Sequence, residues 1–231
     1  MNQEKYIERR SSIEAYFTDA NRNSDSTQTH ISPSGLFSLE ISNFATKPES
    51  WNYSRGIVRD GNNKIFTDVK RNYSSFWHTW IQHPNGCEYL LCGEDYPGYS
   101  VINLTRGTTK VYFPDEGYQG TGFCWTAVYP SPDNLVLAVD DCYWACPYEI
   151  VFYDFTDPEQ LPLLELGRIT NTLDGSSWLD NQMFKVMQEV EIRLSDGTAY
   201  ESLSKAEQGI LDSTANSTGS RKEERAWLRP A

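Results

Sequence analysis

The chain has 231 residues with 32 acidic and 20 basic side chains, which gives a formal net charge of −12. This charge repels phosphate backbones and anionic lipid surfaces, and the sequence has no basic patch to overcome it, so neither nucleic acid nor a membrane is an expected partner. A hydrophobic content of 39% with 13% aromatic residues is typical of a globular protein with a substantial core.

The sequence also indicates a compartment. Residues 1–17 lack the apolar core of a secretion signal, and no apolar run approaches the roughly 20 residues that span a bilayer. The five cysteines are an odd number, which argues against a disulfide framework and for reduced thiols that pack as small apolar groups. We therefore predict a soluble, cytoplasmic protein.

The first predicted element is a short amphipathic helix within residues 2–18. Its apolar side chains, among them Tyr6, Ile13 and Phe17, fall near one helical face between charged residues. The stretch from Asp19 to Thr29 is polar and without periodicity, which predicts a connector. Residues 1–29 thus form the first of three predicted units.

A turn followed by an apolar strand recurs three times in the next part of the chain. The turns are Ser32-Pro33-Ser34-Gly35, His83-Pro84-Asn85-Gly86 and Ser131-Pro132-Asp133-Asn134, and their prolines are 51 and 48 residues apart. Proline presets the turn, and Gly or Asn tolerates the left-handed position that follows. A period of about 40 to 50 residues is that of a four-stranded propeller blade.

This pattern of turn, apolar strand, loop and second apolar strand resembles the repeats of WD40-like β-propellers over about residues 30–156. The Gly-His and Trp-Asp signatures of those repeats are absent, and three copies are fewer than the ~4 to 8 blades of a closed ring. The resemblance implies a mainly β fold, an antiparallel meander of about three propeller-like repeats. An open or partial propeller and a sandwich of hairpins both fit, within a domain predicted at residues 30–203.

Further strands are predicted on both sides of the repeats. Residues 56–59 and 64–69 flank the turn at 60–63, and the alternating stretch 183–194 predicts a hairpin with 198–203. A capping box at 204–207 predicts a short C-terminal helix as far as Leu211. The remaining residues to Ala231 are predicted to be a mobile tail, so the third unit is 204–231.

Metal and nucleophile chemistry find little support in the sequence. Four thiolates, those of Cys87, Cys92, Cys142 and Cys146, would satisfy tetrahedral zinc if they met, but their spacing is not that of a zinc knuckle. His78 lies between two tryptophans and is more simply a packed aromatic than part of a Cys–His pair. No catalytic residue, metal or cofactor is predicted.

Acidic and aromatic loops follow the apolar strands of the second and third repeats. Because equivalent positions of repeated units emerge at the same rim, we expect these side chains to gather on one surface. The candidate binding residues are Glu94, Asp95, Tyr96, Tyr99, Asp140, Asp141, Tyr143, Trp144 and Tyr148.

A surface of this kind binds Lys and Arg side chains by charge pairing and cation–π contact. We therefore predict a non-enzymatic interaction module for a basic protein or peptide, and an immunity-like protein that neutralises a basic toxin would be one form. The alternatives are a carbohydrate-active hydrolase or sugar-binding protein that uses the same carboxylates, a structural role in a larger assembly, or merely solvated loops. The oligomeric state is not predicted.

Overall fold

One helix precedes four consecutive antiparallel sheets. The computed structural model describes residues 3–143, 148–191, 203–205, 208 and 220–230. The helix and strands are α1 (Gln3–Glu14), β1 (Arg22–Ile31), β2 (Phe37–Ala45), β3 (Asn52–Asp60), β4 (Ile65–Arg71), β5 (His78–Gln82), β6 (Glu88–Gly93), β7 (Tyr99–Asn103), β8 (Thr108–Tyr112), β9 (Cys124–Pro130), β10 (Val136–Cys142), β11 (Tyr148–Asp154), β12 (Glu165–Thr170), β13 (Thr172–Trp178), β14 (Met183–Glu191) and β15 (Ser220–Leu228).

The strands form the sheets in chain order. Sheets I, II and III contain β1–β4, β5–β8 and β9–β12, and sheet IV contains β13–β15 among the described residues. Each strand pairs with its sequence neighbour, as in the blades of a propeller. The predicted mainly β, propeller-like meander with a short N-terminal helix is confirmed, and sheet IV adds a fourth unit to the three visible repeats.

The three predicted turns join the first two strands of sheets I, II and III in the same way. The amide of Ser32 donates to Phe37 at 2.9 Å, that of His83 to Cys87 at 2.9 Å and that of Ser131 to Val136 at 2.8 Å. The left-handed position is taken by Gly35, Gly86 and Asn134, with φ of 73°, 83° and 58°. These are the residue types that tolerate this conformation.

Sheet IV begins with an equivalent turn that has no proline. The Leu179 amide donates to the carbonyl of Met183 at 2.9 Å. The Asp180 carboxylate accepts the amides of Gln182 at 2.7 Å and Met183 at 2.8 Å, so a side chain orders this turn. The repeat pattern depended on proline, and it therefore missed the fourth copy.

The sheets stack face to face, with a hydrophobic core in each interface. Along β6, Leu90 and Cys92 lie in the core between sheets I and II, whereas Tyr89 and Leu91 lie in the core between sheets II and III. Strand β10 repeats this alternation between the second core and a third core shared with sheet IV. A strand covered on both faces is apolar throughout, which explains the continuous apolar runs that marked the repeats.

The predictions for both ends of the chain are wrong in part. Most of the predicted polar connector is β1, and the tail predicted to be mobile contains β15. Among the described residues, β1 pairs only with β2 and β15 only with β14, and edge strands carry few apolar residues. The division at 29/30 and 203/204 stays a prediction, although the sheets take a strand from each flanking unit.

The predicted hairpin of sheet IV is also corrected. Along Met183–Glu191, strand β14 pairs with β13 on one side and β15 on the other. Its predicted partner, 198–203, lies almost wholly outside the described residues, as does most of the predicted helix at 204–211. Within that helix the Gln208 amide donates to the Ser204 carbonyl at 2.9 Å.

Candidate functional site

The described parts of the loops that join the second and third strands of sheets I, II and III lie at one edge of the fold, which we name the loop rim. The ring of Trp51 in the first of these loops is 5.8 Å from that of Tyr96 in the second. Pro97 of the second loop and Tyr143 of the third line the same cleft. The repeated topology therefore brings the predicted loops side by side.

Glu94 and Asp95 were predicted to lie on an exposed binding surface, but they are buried beneath α1. Their exposed fractions are 4% and 0%. One carboxylate oxygen of Glu94 accepts the hydroxyl of Tyr6 at 2.6 Å and is 3.2 Å from Nε of Arg10, while the other accepts Ser100 at 2.7 Å. Both oxygens of this carboxylate are therefore satisfied within the chain.

Asp95 is held in a similar way. Its Oδ2 accepts Nε of Arg9, and its Oδ1 accepts the amide of Tyr96 at 2.8 Å. The Arg9 guanidinium also lies 5.1 Å from the ring centroid of Phe113, a cation–π contact. Burial of a carboxylate is costly unless a cation compensates it, and here the arginines of α1 are that cation.

A cleft of about 710 Å³ lies under α1 and is lined by residues of α1, β4, β7 and β8. We name it the helix cleft. Glu14 at the end of α1 pairs with Lys70, and Arg10 donates to the Lys70 carbonyl. Just beyond the helix, the ring of Tyr16 stacks on Tyr53 at 4.4 Å. Burial, and next the charge of Glu94, raise the pKa of Tyr6 well above its ordinary value.

Tyr96 belongs to an aromatic group at the loop rim. Its ring centroid is 5.2 Å from that of Tyr73 and 5.8 Å from the partly exposed ring of Trp51. Burial, followed by the neighbouring Tyr73, raises the pKa of Tyr96 to about 12, so its hydroxyl stays protonated in the neutral range.

Tyr99 and Tyr143 belong to a second cleft, which lies between sheets II and III and has a volume of about 400 Å³. We name it the aromatic cleft after its six rings, those of Tyr99, Tyr112, Phe123, Trp125, Tyr143 and Tyr153. Tyr99 is 4% exposed, and its hydroxyl accepts the amide of Leu163 at 3.0 Å. Tyr143 is 47% exposed, and its hydroxyl accepts from Arg168 at 3.0 Å.

Asp140 and Tyr148 lie in a third cleft, of about 270 Å³, with Asp174. Burial, and next the charge of Asp174, raise the pKa of Asp140. The backbone of Asp141 pairs with that of Glu149 in the ladder between β10 and β11. Its side chain, and all of Trp144, are outside the described part of the chain.

The cysteines considered as zinc ligands are packed or undescribed. Cys87, Cys92 and Cys124 are buried, Cys142 is half-buried, and Cys146 is not among the described residues. Burial raises the pKa of the Cys92 thiol. Across the described ranges, no three His, Cys, Asp or Glu side chains are grouped to hold a metal ion. No helix in those ranges is long and apolar enough to cross a membrane.

The basic half of the site was not predicted from the sequence. Tyr6, Arg9 and Arg10 supply the partners of Glu94 and Asp95, yet they lie more than 80 residues away in sequence. The available signal was an Arg-Arg pair in the predicted helix of a strongly acidic chain. Arg9 and Arg10 concentrate positive charge in this helix, and the acidic loops carry the opposite charge. Pairing between the two could therefore have been considered.

Comparison with known proteins gives one relative and several similar folds. No family profile matches the chain. An uncharacterized protein of Acanthamoeba polyphaga mimivirus, R762, is 38% identical over 146 residues, which are 63% of this chain and 57% of that protein. The chain thus spans just over half the length of this relative.

Two solved structures are similar at low sequence identity. The β-propeller domain of Cps50 (Swd1) from Myceliophteria thermophila is 13% identical, with a TM-score of 0.44 over 80% of this chain and 52% of that one. TolB from Acinetobacter baumannii is 15% identical, with a TM-score of 0.38 over 75% of this chain and 42% of that one.

Proposed function

We propose that the chain is a non-enzymatic protein-interaction module whose loop rim binds a basic helical segment of a partner protein. One observation carries the proposal. The buried carboxylates of Glu94 and Asp95 are bound by a tyrosine and two arginines at positions i, i+3 and i+4 of a helix. In the free chain that helix is α1. A basic toxin held by an immunity-like protein would be one such partner.

The contacts of α1 support its exchange for another helix. Its anchors at the loop rim are mainly ion pairs and hydrogen bonds, and Ile7 in its middle is 59% exposed. A partner helix with the same spacing of Tyr and Arg side chains offers Glu94 and Asp95 equivalent bonds. The net charge of −12 favours the approach of such a basic partner over an acidic one.

The buried position of these carboxylates is unfavourable to the carbohydrate alternative. A sugar hydroxyl does not reach Glu94 or Asp95 while α1 covers them, and a hydrolytic pair needs carboxylates that face the substrate. The same burial favours recognition of a guanidinium, because a buried carboxylate is stabilised by a cation far more than by a neutral group.

The test uses a fluorescent synthetic peptide with the sequence of residues 1–17, added to the full chain. In an Arg9→Ala/Arg10→Ala chain both carboxylates lack their internal arginine partners, and we expect this chain to bind the peptide, as measured by anisotropy. Wild type is expected to bind at least about 10-fold more weakly, because its tethered α1 competes at an effective concentration of about millimolar.

Three matched controls test whether binding depends on the arginines of the peptide and on Glu94. A peptide with both arginines replaced by alanine is expected not to bind, and Glu94→Gln added to the double variant is expected to weaken binding. An Arg22→Ala chain, which loses an exposed arginine at another place, is expected to behave as wild type. A folded double variant that binds neither peptide would show that the loop rim does not recognise a basic helix.

A further inference from the structure

The floor of the aromatic cleft consists of buried core residues, whereas the residues at its mouth are exposed or half-buried. The rings of Tyr99 and Trp125 stack at the floor, with centroids 4.3 Å apart. The ring of Tyr153 lies 5.2 Å from Trp125, and Phe123 meets the exposed Tyr143 at 5.5 Å. A volume of about 400 Å³ lined by rings and a few polar groups is typical of a site for one side chain or a small ligand.

The mouth of the cleft has more acidic than basic side chains. Arg168 is fixed by Glu165 at 2.7 Å, by Glu149 at 3.0 Å and by the hydroxyl of Tyr143 at 3.0 Å. The hydrogen bonds that Arg168 donates to Glu165 and to the hydroxyl of Tyr143 raise its pKa, so its charge is permanent and already paired. The cleft is also lined by Glu116, which is exposed and whose carboxylate has no ion pair within the described ranges.

Ring faces and an unpaired carboxylate both attract cations. The face of an aromatic ring carries negative potential, and a cation within about 6 Å of its centroid is stabilised. Glu116, within the short helical turn at Asp115–Gln119, adds a full negative charge at the same mouth. An acidic ligand is repelled by this carboxylate, and a neutral donor forms a weaker hydrogen bond with it than a cation does.

The loop rim shows which cation such surroundings accept. Arg9 lies between a carboxylate, that of Asp95, and the ring of Phe113 at 5.1 Å. Arg71 is buried, and its guanidinium lies 5.5 Å from the ring of Tyr73. A planar guanidinium stacks on a ring and bonds a carboxylate at once, which the compact ammonium of lysine does less well.

We propose that the aromatic cleft is a second recognition site, one that binds a single arginine side chain of a partner segment between its rings and Glu116. The proposal shares its class of partner with the proposed function but uses different residues. Glu94 and Asp95 face α1, on the other side of sheet II, and they do not line this cleft. The two sites can therefore be tested separately.

The probe is a blocked glycine pentapeptide with a central arginine, titrated into the wild-type chain while the indole N–H signals of the tryptophans are followed by NMR. We expect the signal of Trp125 to shift with the arginine peptide. The same peptide with citrulline, a neutral isostere of arginine, is expected to bind at least 10-fold more weakly, and a lysine peptide several-fold more weakly.

The variants use exposed residues so that the fold is preserved. Glu116→Gln and Tyr143→Ser are each expected to weaken binding about 3- to 10-fold. Glu49→Gln, an exposed glutamate in the loop of sheet I, serves as the matched control and is expected to bind as wild type.

Two results would overturn the assignment. One is equal binding of the arginine and citrulline peptides, and the other is unchanged affinity in both Glu116→Gln and Tyr143→Ser. A Glu94→Gln chain is expected to keep its affinity for the arginine pentapeptide. Retained binding there separates this site from the helix-binding surface, so that either one can fail without the other.

Discussion

The helix cleft and the aromatic cleft lie on opposite faces of sheet II, and they differ in almost every respect. The helix cleft is lined by Ser100 and Val111 of β7 and β8, whereas the aromatic cleft is lined by Tyr99 and Tyr112 of the same two strands. Side chains alternate between the faces of a strand, so one residue step changes a polar surface into an aromatic one. Two adjoining surfaces of different chemistry thus come from a single pair of strands.

The difference extends to what holds each cleft together. The helix cleft is lined by the charged groups Arg10, Glu14 and Glu94, and the adjacent pairs of Arg9 with Asp95 and of Lys70 with Glu14 tie α1 to the sheets. The aromatic cleft is held open by packed rings, and its charged groups stand only at the mouth. We therefore expect the first to respond to charge and pH, and the second to changes in ring size.

The largest effect is expected at the floor of the aromatic cleft. Trp125 is 3% exposed and contacts the rings of Trp77, Tyr99 and Tyr153. Trp125→Ala is expected to lower the free energy of unfolding by about 3 to 5 kcal/mol, because it leaves a cavity between sheets II and III. Denaturant titration measures this loss.

The half-buried ring of Phe123 at the mouth is the comparison for that change. Phe123→Ala is expected to lower the free energy of unfolding by about 1 kcal/mol. The ring is only half-buried, so its removal leaves little enclosed cavity. Equal losses in the two variants would mean that mouth and floor are a single packed unit, and the mouth would then not be available to a ligand.

A smaller effect is expected when the ion pair between α1 and the loop rim is broken. Arg9→Ala leaves Asp95 buried without its cation, and we expect a loss of about 2 kcal/mol, below the range for a fully buried pair because Arg9 is partly exposed. A double-mutant cycle with Asp95→Asn measures the coupling between these two side chains.

Arg22 is the matched control for this experiment, because it pairs with Glu40 at 2.9 Å on the exposed face of sheet I. Arg22→Ala is expected to cost under about 1 kcal/mol. Similar losses for Arg9→Ala and Arg22→Ala would indicate that α1 is held by its apolar contacts and not by charge.

The sequence predicted the repeated parts of this architecture and missed the parts that depend on distant contacts. The three proline turns and the apolar strands after them are local signals, and all of them lie where predicted. The strands β1 and β15 are edge strands with polar sequences, RNSDSTQTHI and SRKEERAWL, so local composition did not distinguish them from loops.

The candidate site was predictable to the same limited extent. Repeat topology predicted that the loop side chains gather on one surface, whereas the structure places Glu94, Tyr99 and Asp140 in three different clefts. Burial was not predictable, because it depends on α1, which reaches Glu94 and Asp95 from far along the sequence. The aromatic cleft combines Tyr112 and Phe123 with Tyr153, and only the stacking of sheets II and III brings these three rings together.

The interface that contains the helix cleft is also expected to be sensitive to pH. The ring centroids of His78 in β5 and His30 in β1 are 4.4 Å apart, and the ring of Trp80 makes an edge-on contact with that of His78. Burial, and next the neighbouring His30, lower the pKa of His78 below its ordinary value. The folded state therefore favours the neutral ring, and the unfolded state binds the proton more readily.

The sign of the pH effect follows from this. The stability that depends on neutral His78 is fully present above about pH 6.5, the unperturbed value, and is lost as the pH falls through the lowered folded pKa. His78→Phe removes this group. Between pH 7 and pH 5, wild type is therefore expected to lose more unfolding free energy than His78→Phe does. A pH-independent difference would mean that His78 titrates as it does in the unfolded chain.

The smallest effect is expected at the mouth of the aromatic cleft. Tyr143→Phe keeps the ring and removes the hydroxyl that accepts from Arg168, with an expected cost of about 0.5 to 1 kcal/mol. Tyr129→Phe is the control, because Tyr129 is exposed and its hydroxyl makes no hydrogen bond to any described residue. Calorimetric melting of both variants against wild type resolves a difference of this size.

A cost above that of the control, but far below that of Trp125→Ala, would mean that Tyr143 is oriented by Arg168 without being needed for the fold. A ring of this kind can close on a ligand at little expense in stability, and binding loops are drawn from the less stable parts of a protein. If Tyr143→Phe costs as much as a core substitution, the mouth is part of the packing between sheets II and III. The functional contrast between the two clefts would then be lost.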